Sequence, residues 1–327
     1  MDVITKQLWM GKIPVEFSLC MSDNACATLP SNQFGLYSRF SYLPAAGASI
    51  VEYFRLSAVD MLSDVWFESN GIPLRVNLPI GVLYDLMHRR STTIPIVPWK
   101  IVVHFTGFPG EKVIKCPNEI SSARLFAHSL KQALFLLYGS TRPYNTLPLD
   151  SQESLWLAAK WGQLSRFDHL VEMLMPNIES IRTIPVRIVF STQSVTLQRP
   201  FFSHLADGTV TSFSIVRKTV NDYIKSMMPA VISGETQDLT SHVSITTPEN
   251  TAPLECQSRI ARMAAEPETI IAASVDYSVS NAASISSESE KSVTLTIHGI
   301  VIPDKAKLFD VWSVFCHADL FLYVVVQ

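Results

Sequence analysis

The pattern of apolar and polar positions is of one kind near both ends of the chain and of another kind in its middle. Near both ends, short runs of apolar residues bounded by polar ones predict β-strands. Between residues 118 and 175, apolar residues recur every three or four positions, which predicts helices that bury one face. The predicted strands are 13–19, 65–67, 74–76, 100–105, 184–192, 293–297 and 320–326. Further helices are predicted near 45–56, 80–88 and 212–228.

The two strand-bearing parts of the chain resemble each other in sequence. Ile13-Pro14-Val15-Glu16-Phe17 is similar to Ile184-Pro185-Val186-Arg187-Ile188, which aligns position 13 with position 184. Leu83-Tyr84-Asp85-Leu86-Met87 is similar to Leu308-Phe309-Asp310-Val311-Trp312, which aligns position 83 with position 308. Both pairs keep the same order along the chain. We therefore expect two copies of one small α+β unit.

The matched segments lie farther apart in the second copy than in the first, because the second copy contains a long polar segment. Residues 233–292 include 18 Ser or Thr in 60 positions, with no Phe or Trp and one Gly. Such a composition cannot supply a core, so we expect a disordered or loosely ordered loop there. Without it, the two copies have nearly equal length. A sheet crossed by one helix indicates a ubiquitin-like β-grasp fold, so the predicted fold class is α+β with two such domains flanking helices.

The domain boundaries follow from this pattern. We predict a first ubiquitin-like domain at 1–110, a helix-rich domain at 111–180, and a second ubiquitin-like domain at 181–327, interrupted at about 233–292. A β-grasp fold usually presents a surface rather than performing chemistry, so its function must be argued from particular sites.

Composition and charge exclude several classes of protein. An apolar content of 47% is enough to build cores, which excludes a wholly disordered chain. The net charge of −3 argues against binding of nucleic acid through general phosphate attraction. The chain has only 12 glycines and contains neither GxGxxG nor GxxxxGK[ST], so the sequence predicts no nucleotide or dinucleotide cofactor.

The cysteines and histidines show no catalytic or metal-binding spacing. Cys20, Cys26, Cys116, Cys256 and Cys316 form no CxxC pair, which predicts buried free thiols in a reducing compartment and no metal. The histidines at two strand ends, His104 and His298, are interpreted as hydrogen-bonded structural residues. One possible function to be tested is that of a cysteine hydrolase that uses Cys116 or Cys316.

A basic cluster, His88-Arg89-Arg90, follows an apolar helix. Cations favour the carboxyl end of a helix, so the first interpretation is a capping and solubilising cluster. The alternative is a weak peripheral membrane contact through Arg89 and Arg90, with Lys112 and Lys115 on the same surface. The chain starts without the pattern of a signal peptide and has no apolar run of about 20 residues, so we expect a cytoplasmic protein.

One lysine lies on the flank of the long predicted helix at 118–138. Helical spacing places Lys131 about 80° from the centre of the apolar face, with Arg124 and His128 on the same exposed flank. By itself this is the position of an ordinary exposed lysine. The residues expected to be buried on the opposite face are Ile120, Ala123, Ala127, Leu130, Leu134 and Leu137.

Several motifs along the chain resemble the autophagy protein 5 family. In the first half they are Trp9-x-Gly11-x-Ile13-Pro14, Trp66-Phe67-Glu68 with Pro73-Leu74, Pro79-Ile80-Gly81-Val82-Leu83-Tyr84-Asp85-Leu86, and Pro98-Trp99-x-Ile101-x-Val103-His104-Phe105. They continue with Ser129-Leu130-Lys131-Gln132-Ala133, Ile184-Pro185-x-Arg187, Arg199-Pro200 and Ile297-His298-Gly299-Ile300. They keep the family's order from residue 9 to residue 300. The segment at 233–292 departs from the family's compact pattern.

The resemblance implies a function in protein conjugation. It implies that Lys131 is the acceptor of the ubiquitin-like modifier autophagy protein 12, whose carboxy-terminal glycine forms an isopeptide bond with the lysine. It further implies conjugating enzymes as transient partners, autophagy protein 16 as an amphipathic helix in an inter-domain groove, and a non-catalytic, E3-like role in lipidation of autophagy protein 8. That role implies a peripheral position on the phagophore membrane. The rival hypothesis is a ubiquitin-like adaptor that binds a partner helix and is never conjugated.

Overall fold

The computed structural model describes residues 3–60, 64–88, 97–116, 118–175, 180–190, 196–204, 208–227 and 293–327. The segment predicted to be disordered at 233–292 and the basic residues Arg89 and Arg90 lie outside the described residues. Within the described ranges, two five-stranded sheets lie on either side of a group of helices along the chain.

The elements follow the predicted order with additions. The first part contains α1 (Val3–Met10), β1 (Lys12–Leu19), β2 (Gln33–Ser38), α2 (Leu43–Ala46), α3 (Ala48–Arg55), β3 (Trp66–Ser69), β4 (Ile72–Pro73), α4 (Ile80–Met87) and β5 (Trp99–His104). The helical part contains α5 (Glu119–Tyr138), α6 (Arg142–Asn145), α7 (Leu149–Trp161) and α8 (Leu164–Leu174). The last part contains β6 (Thr183–Phe190), β7 (Thr196–Phe202), α9 (Ser214–Met227), β8 (Leu295–Ile297), β9 (Ile300–Val301), α10 (Leu308–Phe315) and β10 (Leu322–Val326).

Both sheets have the same strand order. The first is β2-β1-β5-β3-β4 and the second is β7-β6-β10-β8-β9, with a parallel pair at the centre of each. Val15 pairs with Trp99 in the first sheet, as Val186 pairs with Leu322 in the second. The prediction of two copies of a ubiquitin-like α+β unit is therefore confirmed, and the predicted alignment of β1 with β6 is correct.

The predicted alignment of α4 with α10 was wrong by three positions. Each copy has a two-residue hairpin turn with positive φ, formed by Asn70-Gly71 and by His298-Gly299. Aligning these two turns also aligns the first residues of α4 and α10, Ile80 and Leu308. The sequence match had instead aligned Leu83 with Leu308, which shifts the helices by nearly one turn. Short apolar helices look alike after such a shift.

The periodicity missed β2, β7 and the two-residue strand β9, and it misplaced β4. The three missed strands lie at sheet edges, where apolar residues need not be buried: Phe34 and Leu36 of β2 are exposed, and β7 contains Pro200. The strand predicted at 74–76 is wrong, because β4 ends at Pro73 and the chain then turns. Leu74 and Val76 are buried although they lie in a loop. Their apolar side chains therefore gave the pattern that predicted a strand.

The buried face of α5 also differs from the prediction. Leu130, Leu134 and Leu137 are buried as expected, but Ile120 is 63% exposed. Ala123 and Ala127 are only partly buried. The buried set instead includes Ser122, Phe126, Ser129 and Ala133. Periodicity could not find the buried serines because their burial depends on polar partners supplied by other parts of the chain.

One continuous core joins the three parts. Phe40, which follows β2, lies 4.2 Å from Trp9 of α1 and 5.0 Å from the ring of His317, which follows α10 (distances between ring centres). Trp9 also lies 4.8 Å from Phe167 of α8. Aromatic contacts of this kind fix the relative positions of the sheets and the helices.

A candidate conjugation site on the long helix

Helix α5, which carries Lys131, has well-defined ends. The side chain of Asn118 accepts a hydrogen bond from the backbone N–H of Ser121 at 2.9 Å, which caps the amino end. Gly139 has φ 70° at the carboxyl end, where its backbone N–H donates to the carbonyl of Phe135. Lys131 therefore lies in the interior of a rigid 20-residue helix, rather than on a mobile loop.

The environment of Lys131 leaves its amine available. The side chain is half-buried, and its ammonium lies 5.1 Å from the ring centre of Tyr144 in α6, within the range of a cation–π contact. In the part of the chain that the structure describes, no carboxylate forms an ion pair with this amine. Arg124 and His128 are exposed on the same flank, as predicted, and Phe135 beside them is 56% exposed. The lysine is thus oriented by an aromatic ring without being neutralised.

A polar cleft of about 270 Å³ lies along the other side of the exposed face of α5. It is formed by all three parts of the chain, and its lining is dominated by amide and hydroxyl side chains with one guanidinium. The lining residues are Asn77, Leu78, Leu125, His128, Ser129, Gln132, Arg187, Thr196 and Gln198. Of these residues, His128 lies three positions before Lys131 and is its neighbour on the helix surface.

A buried network at the floor of this cleft fastens α5 to the second sheet. Arg187 of β6 donates to Ser129 at 2.6 Å, to Tyr323 at 2.8 Å and to Gln132 at 2.9 Å. Asp319 accepts hydrogen bonds from Ser129 and Tyr323 and lies 3.4 Å from Arg187. Burial alone would lower the pKa of Arg187, but Tyr323 and Asp319 outweigh it and raise that pKa above its ordinary value. The guanidinium is therefore fully charged, and it fixes the helix that carries Lys131.

A second cleft, of about 670 Å³, lies between α1 and the start of α8. Trp9 forms part of its floor, Met10 is 77% exposed at its edge, and Leu164 lies on the opposite wall. Lys6 and Arg166 add two basic groups to the lining. Helix α1 also packs against α10 of the second sheet, so all three parts of the chain meet near this apolar surface.

The remaining predicted residues have mixed outcomes. Arg89 and Arg90 are not among the described residues. His88 fits the capping interpretation, since its ring stacks on Tyr84 with 4.0 Å between ring centres and contacts the Tyr84 carbonyl. Lys115 forms an ion pair with Asp64 at 2.6 Å. None of the helices in the described residues is long and apolar enough to cross a bilayer.

The described cysteines are free, but they are not uniformly buried. Cys116 is buried, Cys20 and Cys316 are partly exposed, and Cys26 is exposed, while Cys256 lies outside the described residues. Burial raises the pKa of Cys316 to about 12 and also raises that of Cys116, against an opposing hydrogen bond from Ser122. Both thiols stay protonated at neutral pH, which makes them poor nucleophiles and disfavours the cysteine hydrolase.

Comparison with known families gives the context for this site. Models of autophagy protein ATG5 match the chain over all three parts: the UblA domain at residues 8–105, the alpha-helical bundle region at 121–177 and the UblB domain at 183–326. The chain belongs to the autophagy protein 5 family. The predicted resemblance to this family is therefore confirmed.

Individual relatives agree with this assignment. Autophagy protein 5 of Arabidopsis thaliana is 33% identical over 165 residues, which cover 50% of this chain and 48% of that protein. Autophagy protein 5 of Penicillium rubens is 24% identical over 341 residues, covering 99% of this chain and 96% of that one. The chain thus spans about half the length of some of the relatives that it matches. A crystal structure of Kluyveromyces marxianus Atg5 shares the fold, with a TM-score of 0.65 at 17% identity and full coverage of both chains.

Proposed function

We propose that this chain is the acceptor and scaffold of an autophagy conjugation system, with Lys131 as the acceptor lysine. The neutral amine of Lys131 attacks the thioester carbonyl that joins the carboxy-terminal glycine of autophagy protein 12 to its conjugating enzyme. The C–N isopeptide bond forms, the C–S bond breaks, and the enzyme's thiol leaves with the proton. The observation that carries this proposal is the position of Lys131 within the family motif, on the exposed flank of α5.

The geometry supports the role of an acceptor rather than that of a catalyst. The amine is not paired with a described carboxylate, so a conjugating enzyme does not have to break an ion pair to reach it. The Tyr144 ring restricts the long side chain, which reduces the entropy lost when the amine is aligned with the thioester. Deprotonation of the amine is assigned to the conjugating enzyme.

We further propose that autophagy protein 16 docks as an amphipathic helix in the cleft between α1 and α8. Trp9, Met10 and Leu164 provide the apolar surface that such a helix buries, and Lys6 and Arg166 match acidic residues on its polar side. The polar cleft beside α5 is a poor alternative, because its amide lining would be desolvated by an apolar helix face.

The assembled conjugate then acts as an E3-like complex that promotes transfer of autophagy protein 8 to phosphatidylethanolamine. This role places the chain in the cytoplasm and peripherally on the phagophore membrane. Arg89 and Arg90, which follow α4, remain the proposed weak contact with anionic lipid. Liposome flotation of the Arg89→Glu, Arg90→Glu variant tests that contact: loss of flotation supports it, and unchanged flotation removes it.

The acceptor is tested in a reconstituted conjugation mixture by intact mass under denaturing conditions. The wild-type chain should gain the mass of the modifier less one water, and Lys131→Arg should abolish this adduct. Lys218→Arg is the control, since Lys218 is a helical lysine on α9 that is exposed and lies outside the family motif. An adduct that persists in Lys131→Arg shows that Lys131 is the wrong residue. A wild-type chain that never forms an adduct supports the unconjugated adaptor instead.

The docking cleft is tested separately from conjugation. Met10→Asp places a carboxylate on the apolar surface and should weaken binding of an autophagy protein 16 peptide at least tenfold, while the Lys131 adduct still forms. Met21→Asp is the matched control, because Met21 is equally exposed but lies after β1, away from this cleft. Equal peptide binding by wild type and Met10→Asp would exclude this cleft as the docking site.

A further inference from the structure

Three potential metal ligands, Cys20, Asp23 and His104, meet at one end of the first sheet, although the histidine is far along the chain from the other two. Cys20 directly follows β1 and His104 ends β5; these strands are parallel neighbours with Leu19 paired to Val103. The next pair in that register is Cys20 and His104, so both side chains lie on the outer face of the sheet. A 3₁₀ turn at Met21–Asp23 then folds the chain back over this position.

The turn brings Asp23 to the same place. Ligand atoms of Cys20, Asp23 and His104 all lie within 4.8 Å of one another. Strand β3 adds a second carboxylate: Trp66 pairs with His104, and Glu68, two residues further on the same face, lies 3.2 Å from Nε2 of the histidine. The imidazole ring stacks on Trp66 with 3.8 Å between ring centres, which restricts its orientation.

The contact between His104 and Glu68 is close but poorly aligned for a hydrogen bond. Among the described residues, no side chain or backbone group makes a hydrogen bond of good alignment with the buried Nε2 of His104. Glu68 is close to this nitrogen but lacks that alignment. Here an imidazole nitrogen and a carboxylate oxygen face each other without a well-placed proton between them. A cation can interact favourably with both of these atoms.

We propose that Cys20, Asp23 and His104 bind a zinc ion, with the carboxylate of Glu68 as a supporting group beside the histidine. Thiolate sulfur, imidazole nitrogen and carboxylate oxygen are the ligands that Zn²⁺ prefers, and three of them together with one water molecule match its tetrahedral coordination. The thiol of Cys20 loses its proton to solvent as the S–Zn bond forms. The ion joins the loop after β1 to the ends of β5 and β3, independently of the conjugation chemistry on α5.

Asp23 also has a role that needs no metal. Its carboxylate accepts hydrogen bonds from the backbone N–H of Phe105 at 2.6 Å and from the hydroxyl of Thr106 at 2.6 Å. The hydroxyl of Ser22 lies 3.1 Å from Asp23 Oδ1 and 3.2 Å from Cys20 Sγ, so it lies close to both of these ligand atoms. Asp23 also accepts a hydrogen bond from the backbone N–H of Thr106 at 3.2 Å, so metal binding has to displace the Ser22 hydroxyl while the contacts from Phe105 and Thr106 remain. The experiment therefore has to distinguish a metal site from a hydrogen-bonded turn.

The test is a Co²⁺ titration of the full-length, reduced, metal-free chain, followed by competition with Zn²⁺. The wild type should bind one Co²⁺ with a thiolate-to-cobalt charge-transfer band in the near ultraviolet, and Zn²⁺ should remove the band. Cys20→Ser should lose the band and stoichiometric Zn²⁺ binding. Glu68→Gln should weaken Zn²⁺ binding about 10- to 100-fold, the usual effect of removing a supporting carboxylate.

Cys26→Ser is the matched control, because Cys26 is an exposed thiol six residues along the same loop; it should bind Co²⁺ and Zn²⁺ like the wild type. A wild-type chain without a thiolate band overturns the proposal and needs no variant for its interpretation. Equal loss of the band in Cys20→Ser and Cys26→Ser would also overturn it, because the metal would then bind loop thiols non-specifically. Urea unfolding of each metal-free variant checks that the first sheet remains folded.

Discussion

The two sheets share one strand order but differ in what covers their outer faces. In the first sheet, β1 and β5 bury every second residue and leave the others half-exposed or exposed. In the second sheet, all five residues of β10 are buried, and so are six of the eight residues of β6. The same fold is therefore open on one face in the first copy and enclosed on both faces in the second.

The difference can be followed at one pair of equivalent positions. Glu16 of β1 corresponds to Arg187 of β6 when the two sheets are aligned strand for strand, and each pairs with the central parallel strand. Glu16 lies near solvent and accepts a hydrogen bond from Asn32 at 2.7 Å. Arg187 lies beneath α5, with its guanidinium carbon 3.7 Å from the ring centre of Phe321. The second sheet thus uses its outer face to hold the helix that carries Lys131, while the outer face of the first sheet stays half-exposed.

The largest loss of stability is expected from a substitution on the outer face of the second sheet, which α5 covers. Arg187→Ala should lower the free energy of unfolding by about 3–5 kcal/mol, because Asp319 becomes a buried carboxylate without its cationic partner. The measurement is urea unfolding followed by tryptophan fluorescence. Conjugation at Lys131 should slow as well, since α5 loses its attachment to the second sheet.

Glu16→Ala tests the same position on the open face. It should change the free energy of unfolding by about 0.5 kcal/mol or less, as expected for a half-exposed residue with one neutral hydrogen-bond partner. Similar losses in Arg187→Ala and Glu16→Ala would show that the two outer faces do not differ in the way described.

The two hairpin turns also differ in how they make the stability of the chain depend on pH. Asn70 occupies the first turn with φ 52°, and His298 occupies the second with φ 51°. His298 stacks on His317 with 4.4 Å between ring centres. Burial lowers the pKa of His298 to about 3 and that of His317 well below its ordinary value, and the nearby Arg39 adds to both effects. Both rings are therefore neutral in the folded chain.

The sign of the pH effect follows from these lowered pKa values. Below about pH 6.5 the unfolded chain binds protons that the folded rings exclude, so the free energy of unfolding falls as the pH decreases. Two such histidines give a slope of about 2.5 kcal/mol per pH unit between pH 6 and 5. His317→Phe keeps an aromatic ring in the stack and should roughly halve the slope, measured by urea unfolding at each pH. An unchanged slope would show that other groups control acid unfolding.

The sequence predicted the repeated fold because both copies keep their central strands apolar. Ile13, Val15 and Phe17 are buried in β1, and β6 has buried apolar residues at the equivalent positions Ile184, Val186 and Ile188. The edge strands β2 and β7 were not predicted, since their exposed side chains carry no constant periodicity. The extent of burial in the second sheet was also not predictable, because it depends on α5, whose docking is set by tertiary contacts.

The candidate sites were predictable to different degrees. Lys131 is predicted from the family motif, because helical spacing alone shows only an ordinary lysine on the flank of α5. The cluster of Cys20, Asp23 and His104 was missed, and the sequence predicted no metal, because the histidine is far along the chain from the other two ligands. Only the register between β1 and β5 brings them together, and no short spacing motif records it.

A smaller effect than that of Arg187→Ala is expected from a single hydroxyl on the central strand of the second sheet. Tyr323 lies opposite Arg187, as Lys100 lies opposite Glu16 in the first sheet. Tyr323→Phe removes a hydroxyl that accepts from Arg187 and donates to Asp319, and it should cost about 1–2 kcal/mol in urea unfolding. Lys100→Ala should change stability by about 0.5 kcal/mol or less, because Lys100 is exposed. A double-mutant cycle of Tyr323→Phe with Arg187→Ala should show strong coupling, since both residues satisfy the same buried carboxylate. If the two losses simply add, the enclosed face is held by packing against α5, and the polar network is not what distinguishes the second sheet from the first.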